Sequence, residues 1–176
     1  MNWDYIAGFM DGEGCICLSR NRCKIDITQL TANSDVLYEI RDFIDGYGIH
    51  SWVCLSRRSN PHSGGTISHL CMSSMSGCYL FLMELFPRLR VKKAKAQIAI
   101  SLLEPKITAR LDLMKRLELA IADYNGGMSS IGVEKKYGVW HATLRNEMKR
   151  RNIVLRSRSE ANRLGKSYLR LLRSHA

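Results

Sequence analysis

The chain has 176 residues, enough for one compact domain or for one of about 100–120 residues with a small appendage. Its 27 Lys and Arg against 16 Asp and Glu give a formal charge of +11, which points to a polyanionic partner, either nucleic acid or an anionic membrane surface. No apolar run nears the roughly 18 residues that span a bilayer, and the start lacks the basic and apolar regions of a signal peptide, so an intracellular protein without membrane association is expected.

Residues 5–14 begin as an amphipathic helix. Ile6, Phe9 and Met10 supply an apolar stripe at i, i+3 and i+4. Asp4, Gly8 and Asp11 lie on another face with Ala7 beside them, where small side chains let a second backbone approach. Gly12 and Gly14 are expected to stop the helix, leaving Glu13 between them at the mouth of a strand. Residues 15–20 and 23–30 read as a hairpin with Asn21 at its tip. In the second strand Cys23, Ile25 and Ile27 alternate with Arg22, Lys24, Asp26 and Thr28, so one face is core and the other is polar.

Asn33 or Ser34 then caps a helix over 35–45, with Leu37, Ile40, Phe43 and Ile44 as its buried stripe. A second hairpin is expected from 49–57, a polar loop over 58–65 and a strand over 66–73. Helices follow over 75–86 and from about 91 to Pro105. The order is αββαββα plus one more helix, an α+β arrangement in which two hairpins share a four-stranded antiparallel sheet. A two-stranded ribbon fits the DNA major groove. The candidate base and phosphate readers on the sheet are Arg20, Arg22, Lys24, Asp26, Thr28, Arg57 and Arg58. The six cysteines (15, 17, 23, 54, 71, 78) contain no C-x-x-C and read as reduced thiols filling a core.

A seam is expected over 104–108, where Pro105 should break the helix, giving units of 1–105 and 106–176. Past it come a helix over 109–124, a stop at Asn125-Gly126-Gly127, a short helix to Tyr137, a turn at Gly138 and a helix over 140–150. Ile131, Val133, Tyr137, Val139, Leu144, Met148 and Ile153 have the spacing of a small three-helix core. This texture resembles the resolvase-like and phage helix-turn-helix modules. Two residues depart from that pattern: Glu134 stands where a small alanine usually packs, and Trp140 where a capping Ser or Thr is usual. On the second helix His141, Thr143, Arg145, Asn146 and Lys149 are the candidate groove contacts. The basic segment 156–173 reads as a phosphate-binding arm.

Ile6-Ala7-Gly8-Phe9-Met10-Asp11-Gly12-Glu13-Gly14 resembles the signature of the LAGLIDADG homing endonucleases, and the resemblance extends over about residues 1–105. It implies that the signature helix packs on its twin in a homodimer through Ala7, Gly8 and Asp11. It also implies that Glu13, helped by the carbonyl of Gly12, holds Mg²⁺ (with Mn²⁺ or Ca²⁺ able to substitute). Gln29, in Ile27-Thr28-Gln29-Leu30, matches the glutamine that positions water. Strict alternation would turn it towards the core, so the match requires the strand to lose register at its end. In the run 89–97 Lys92 aligns best with the active-site lysine, and Lys93 is its rival. The implied activity is a sequence-specific, staggered double-strand break in duplex DNA. The alternatives are a DNA-binding regulator that keeps the fold without the chemistry, and a maturase acting on intron RNA.

Overall fold

Asn2 starts the first helix, its side-chain Oδ1 accepting the Tyr5 N–H at 2.9 Å. The computed structural model describes residues 1–20, 22–56, 66–157, 159, 160 and 163. Among them the chain runs α1 (Trp3–Glu13), β1 (Gly14–Ser19), β2 (Arg22–Leu30), a single 3-10 turn (Thr31–Asn33), α2 (Asp35–Asp45), β3 (Trp52–Leu55), β4 (Ile67–Met72), α3 (Met75–Leu85), α4 (Lys93–Asn125), α5 (Ser130–Tyr137) and α6 (His141–Arg150). The elements from α1 to the start of α4 have the αββαββα order, and helices follow. Contacts divide the chain into Met1–Ile107 and Thr108–Ala176.

In the first unit the strands form one antiparallel sheet in the order β1-β2-β4-β3. Ile16, Ile25, Ile27, Leu70 and Met72 point from one face into a core completed by Ile6, Met10, Leu37, Ile40, Ile44, Phe81, Leu82, Leu85 and Leu103. The register fixes the membership of the other face, because residues directly opposite share a side. Cys15 pairs with Asp26, which pairs with Cys71; Cys17 pairs with Lys24, and Thr28 with His69.

Several expectations give way to the packing. The helix passes through Gly12 and ends at Glu13; Gly14 caps it in an extended conformation (φ −83), its N–H returning to the Met10 carbonyl. Gly14 is needed for space, since a Cβ there would stand 2.1 Å from the Met10 sulfur. Ser34 makes no side-chain cap, as the 3-10 turn leads directly into α2. The second hairpin's strands are shorter than expected. Its loop, with Arg57 and Arg58, lies outside the described residues, as do Asn21 and most of the basic arm. Pro105 does not end the helix: α4 is continuous over 33 residues with the proline inside. A proline removes one hydrogen bond, whereas α4 supplies Ala96, Ala99, Ile100 and Leu103 to one core and Leu117, Ala120, Ile121 and Tyr124 to the other.

The second unit packs α5 and α6 against the later turns of α4. Ser129 caps α5 by accepting the Gly132 N–H at 3.0 Å, and Gly138 closes it in the left-handed region (φ 62). Asp123 accepts from Lys136 Nζ and Tyr137 Oη, each at 2.7 Å. Arg151 joins Glu118 to Glu147. The two departures from the helix-turn-helix pattern answer each other. Trp140 gives α6 no side-chain cap, and Glu134 reaches across from α5, its carboxylate accepting the His141 N–H at 3.3 Å and contacting His141 Nδ1 at 2.9 Å.

Candidate active site and nucleic-acid faces

The C-terminal end of α1 concentrates the chemistry. The last carbonyls of a helix lack intrahelical partners and carry partial negative charge. Here Lys92 Nζ donates to the Asp11 carbonyl at 2.5 Å. The Asp11 carboxylate in turn accepts the N–H groups of Arg90 at 2.7 Å and Lys92 at 2.9 Å. Burial pushes the Asp11 carboxyl up, but the N–H groups of residues 90–92 and the Lys92 charge outweigh it and hold it below the ordinary aspartate value. Asp11 is thus committed to the turn that precedes α4 in its own chain. Two residues on, Glu13 is exposed and has no hydrogen-bond or ion-pair partner among the described residues.

Lys92 is therefore brought to the helix end that presents Glu13. Lys93 instead lies over the Phe86 ring at 5.2 Å. Gln29 is near in register, since Gly14 pairs with Ile27 and the strand continues in step to Gln29↔Ser68. The expected loss of register does not occur. Gln29 stays on the Cys23–Ile25–Ile27 side of β2, half-buried, with its Oε1 accepting the N–H of Leu30 at 2.8 Å. Its Oε1 is therefore engaged by its own strand end.

No group of three or more His, Cys, Asp or Glu able to hold a metal exists among the described residues. At this end of α1, among the described residues, the chain offers one unpaired carboxylate, Glu13, beside the carbonyl of Gly12. Those hard oxygens suit Mg²⁺, which binds through few carboxylates and keeps phosphate and water as its other ligands. The donor set fits the ion but is incomplete in a single chain.

The α1 surface is also redistributed. The buried line is Trp3, Ile6, Ala7 and Met10, so Ala7, expected at a dimer face, is 2% exposed in its own core. The open line is Tyr5, Gly8, Phe9 and Gly12, with Tyr5 and Phe9 stacked at 6.1 Å. A Cβ on Gly8 or Gly12 would meet nothing within 4 Å. A groove lined by Asp4, Asp11, Arg88, Arg90 and Lys93 runs beside Gly8.

On the open sheet face Arg20 and Arg22 are exposed at the hairpin end, Arg20 with φ 47. Lys24 and Asp26 form an ion pair at 2.9 Å, with Asp26 mostly covered. Thr28 bonds His69 Nδ1 at 3.2 Å. His69 and Trp52 also belong to this face, although the sequence pattern did not single them out; alternation through Ile67, His69 and Cys71 on β4 was the signal for His69. The cysteines divide in an unexpected way. Cys23 and Cys78 fill the core, but Cys15 and Cys17 are exposed, and Cys54 and Cys71 lie on the same open side. On α6, Arg145, Asn146 and Lys149 are exposed, Thr143 is half-buried on the flank, and His141 is held by Glu134.

Among solved structures, the homing endonuclease I-CvuI in complex with its target in the presence of calcium is similar to this chain. The two are 20% identical, with a TM-score of 0.48, over 87% of this chain and 96% of that one. The meganuclease I-SmaMI bound to uncleavable DNA is 11% identical, with a TM-score of 0.49, over 62% of this chain and 38% of that one. No family model matches the chain, and no curated protein matches it. Likenesses at this level assign no chemistry to its residues.

Proposed function

We propose that the chain is a homodimeric, sequence-specific DNA endonuclease that makes a metal-dependent staggered double-strand break. The observation that carries the reading is the free Glu13 carboxylate at the helix end to which Asp11 and its turn bring Lys92. The signature resemblance and the antiparallel sheet with a polar open face support it. Two copies meeting along Tyr5, Gly8, Phe9 and Gly12 would bring two Glu13 carboxylates together and complete what one chain lacks.

Glu13 and the Gly12 carbonyl would hold the Mg²⁺, which supplies charge neutralisation at phosphate and a more acidic bound water. Lys92 places positive charge where the phosphate's negative charge grows, a role worth most when the donor is already fixed, as its bond to the Asp11 carbonyl fixes it. Arg20 and Arg22 would contact phosphate or base edges from the hairpin end. Arg145, Asn146 and Lys149 would do so from the helix-turn-helix unit, which also keeps open a second reading, a DNA-binding regulator without cleavage.

The deciding experiment is incubation of a duplex library with the protein, with and without Mg²⁺, and with Glu13→Gln. Mg²⁺-dependent cutting that Glu13→Gln abolishes, with DNA binding retained, is the expected outcome. Binding without cutting by the natural chain would leave the regulator reading, and wild-type cutting by the variant would remove Glu13 from the site.

A further inference from the structure

The open sheet face carries a thiol pair that this function leaves unused. Cys15 and Cys17 flank buried Ile16 on β1, both are exposed, and their sulfurs stand 3.4 Å apart. Cys15 is also the second residue after Glu13, and β1 begins at the intervening Gly14.

Residues two apart on a strand have Cα atoms roughly 6.4–6.8 Å apart. A disulfide accepts that upper limit but prefers about 5.5–6 Å. A bridge can therefore close within β1, and closing it draws the strand in by about 1 Å. We propose that Cys15 and Cys17 are a peroxide-sensitive modification site whose reversible disulfide throttles cleavage by displacing Glu13. The effect on cleavage rests on the function proposed above; formation of the disulfide does not.

The chemistry balances with hydrogen peroxide as oxidant. One thiolate attacks a peroxide oxygen, the O–O bond breaks, and a sulfenic acid and hydroxide result. The second thiol attacks the sulfenic sulfur, an S–S bond forms, and the S–OH bond breaks, its hydroxide leaving as water with the second thiol's proton. Two thiols lose two electrons, and the peroxide becomes two waters. A bridge bent to fit an extended strand is readily reduced, which suits a reversible device. The other open-side pair, Cys54 and Cys71, has its sulfurs 3.7 Å apart across two strands, but Cys71 is only 4% exposed. It serves as an internal comparison.

The test treats the full chain with stoichiometric peroxide and reads two quantities. One is the mass of the peptide holding both cysteines; the other is single-turnover cleavage of duplexes selected from the library. Loss of two hydrogens from that peptide should accompany a roughly hundredfold slower cut, the scale expected for a 1 Å misplacement, with DNA affinity unchanged and dithiothreitol restoring the rate. Cys17→Ser and Cys15→Ser should each cut normally and ignore peroxide, while Cys54→Ser should remain sensitive. No bridge, a bridged protein that cuts at full rate, or inhibition surviving in both serine variants would overturn the proposal. If the reduced chain does not cut at all, the proposed function fails and the control of cleavage with it, yet the peptide mass still decides whether the disulfide exists.

Discussion

Asp11 and Glu13 are two carboxylates two residues apart with opposite fates. Asp11 accepts two backbone N–H groups from the turn before α4, at 2.7 and 2.9 Å, while Glu13 faces solvent. Asp11→Ala leaves those donors without their acceptor and should lower stability by about 1–2 kcal/mol, the low end for a charged acceptor because the site is half-exposed. Urea unfolding checks this. The folded pKa of Asp11 lies below its ordinary 3.8, so its contribution is fully present above 3.8 and is lost as pH falls through the lower folded value. The variant should therefore lose less stability than the natural chain in that acid window. An unchanged unfolding midpoint, or an identical acid slope, would mean that the turn is held by something else.

At the scale of elements, α1 shows both the reach and the limit of reading a helix from spacing. That Ile6 and Met10 face inward was legible from the i, i+4 repeat. The rest of the line was not: Trp3 and Ala7 complete it, and Phe9, expected within it, is only partly buried. Helical spacing fixes which residues share a face, but a small residue such as Ala7 fits either a core or a helix contact, and only the packing decides. α2 was legible to its bounds because three core residues and its glycine end agree. Pro105 misled because a local rule counts one lost hydrogen bond and not the core residues on either side of it. The open line of α1 can be tested cleanly. Since a Cβ at Gly8 meets nothing within 4 Å and the position opens on a groove, Gly8→Leu should fold normally. It should gain up to about 0.8 kcal/mol of helix propensity, and in the dimer proposed above it should still weaken association by forcing the second copy's helix away. Sedimentation reads the result, and unchanged self-association would place any dimer contact elsewhere.

Across the whole molecule the charge is lopsided. Residues 105–176 hold 16 Lys and Arg against 6 Asp and Glu, so +10 of the chain's +11 belongs to that part. The open sheet face, by contrast, partly cancels its own charge through Lys24 and Asp26. In the helical unit, Glu118 and Glu147 are spent on Arg150 and Arg151, the latter pair holding the Glu147 carboxyl down to about 2. This leaves Arg145 and Lys149, one turn apart on α6, exposed and without a partner among the described residues. If the helical unit supplies the electrostatic part of DNA affinity, removing one cation that neutralises a phosphate should make the slope of log K against log salt shallower by about 0.9. The double variant Arg145→Gln with Lys149→Gln should then bind more weakly at low salt, with a slope shallower by about 2, while the cleavage proposed above keeps its rate at saturating protein. Arg22→Gln on the sheet should shift the slope by about 1 at most. Titrations across a range of salt concentrations distinguish the cases. A double variant with the natural slope would mean that α6 is turned to a partner other than DNA, and the positive charge of its unit would need a different polyanion.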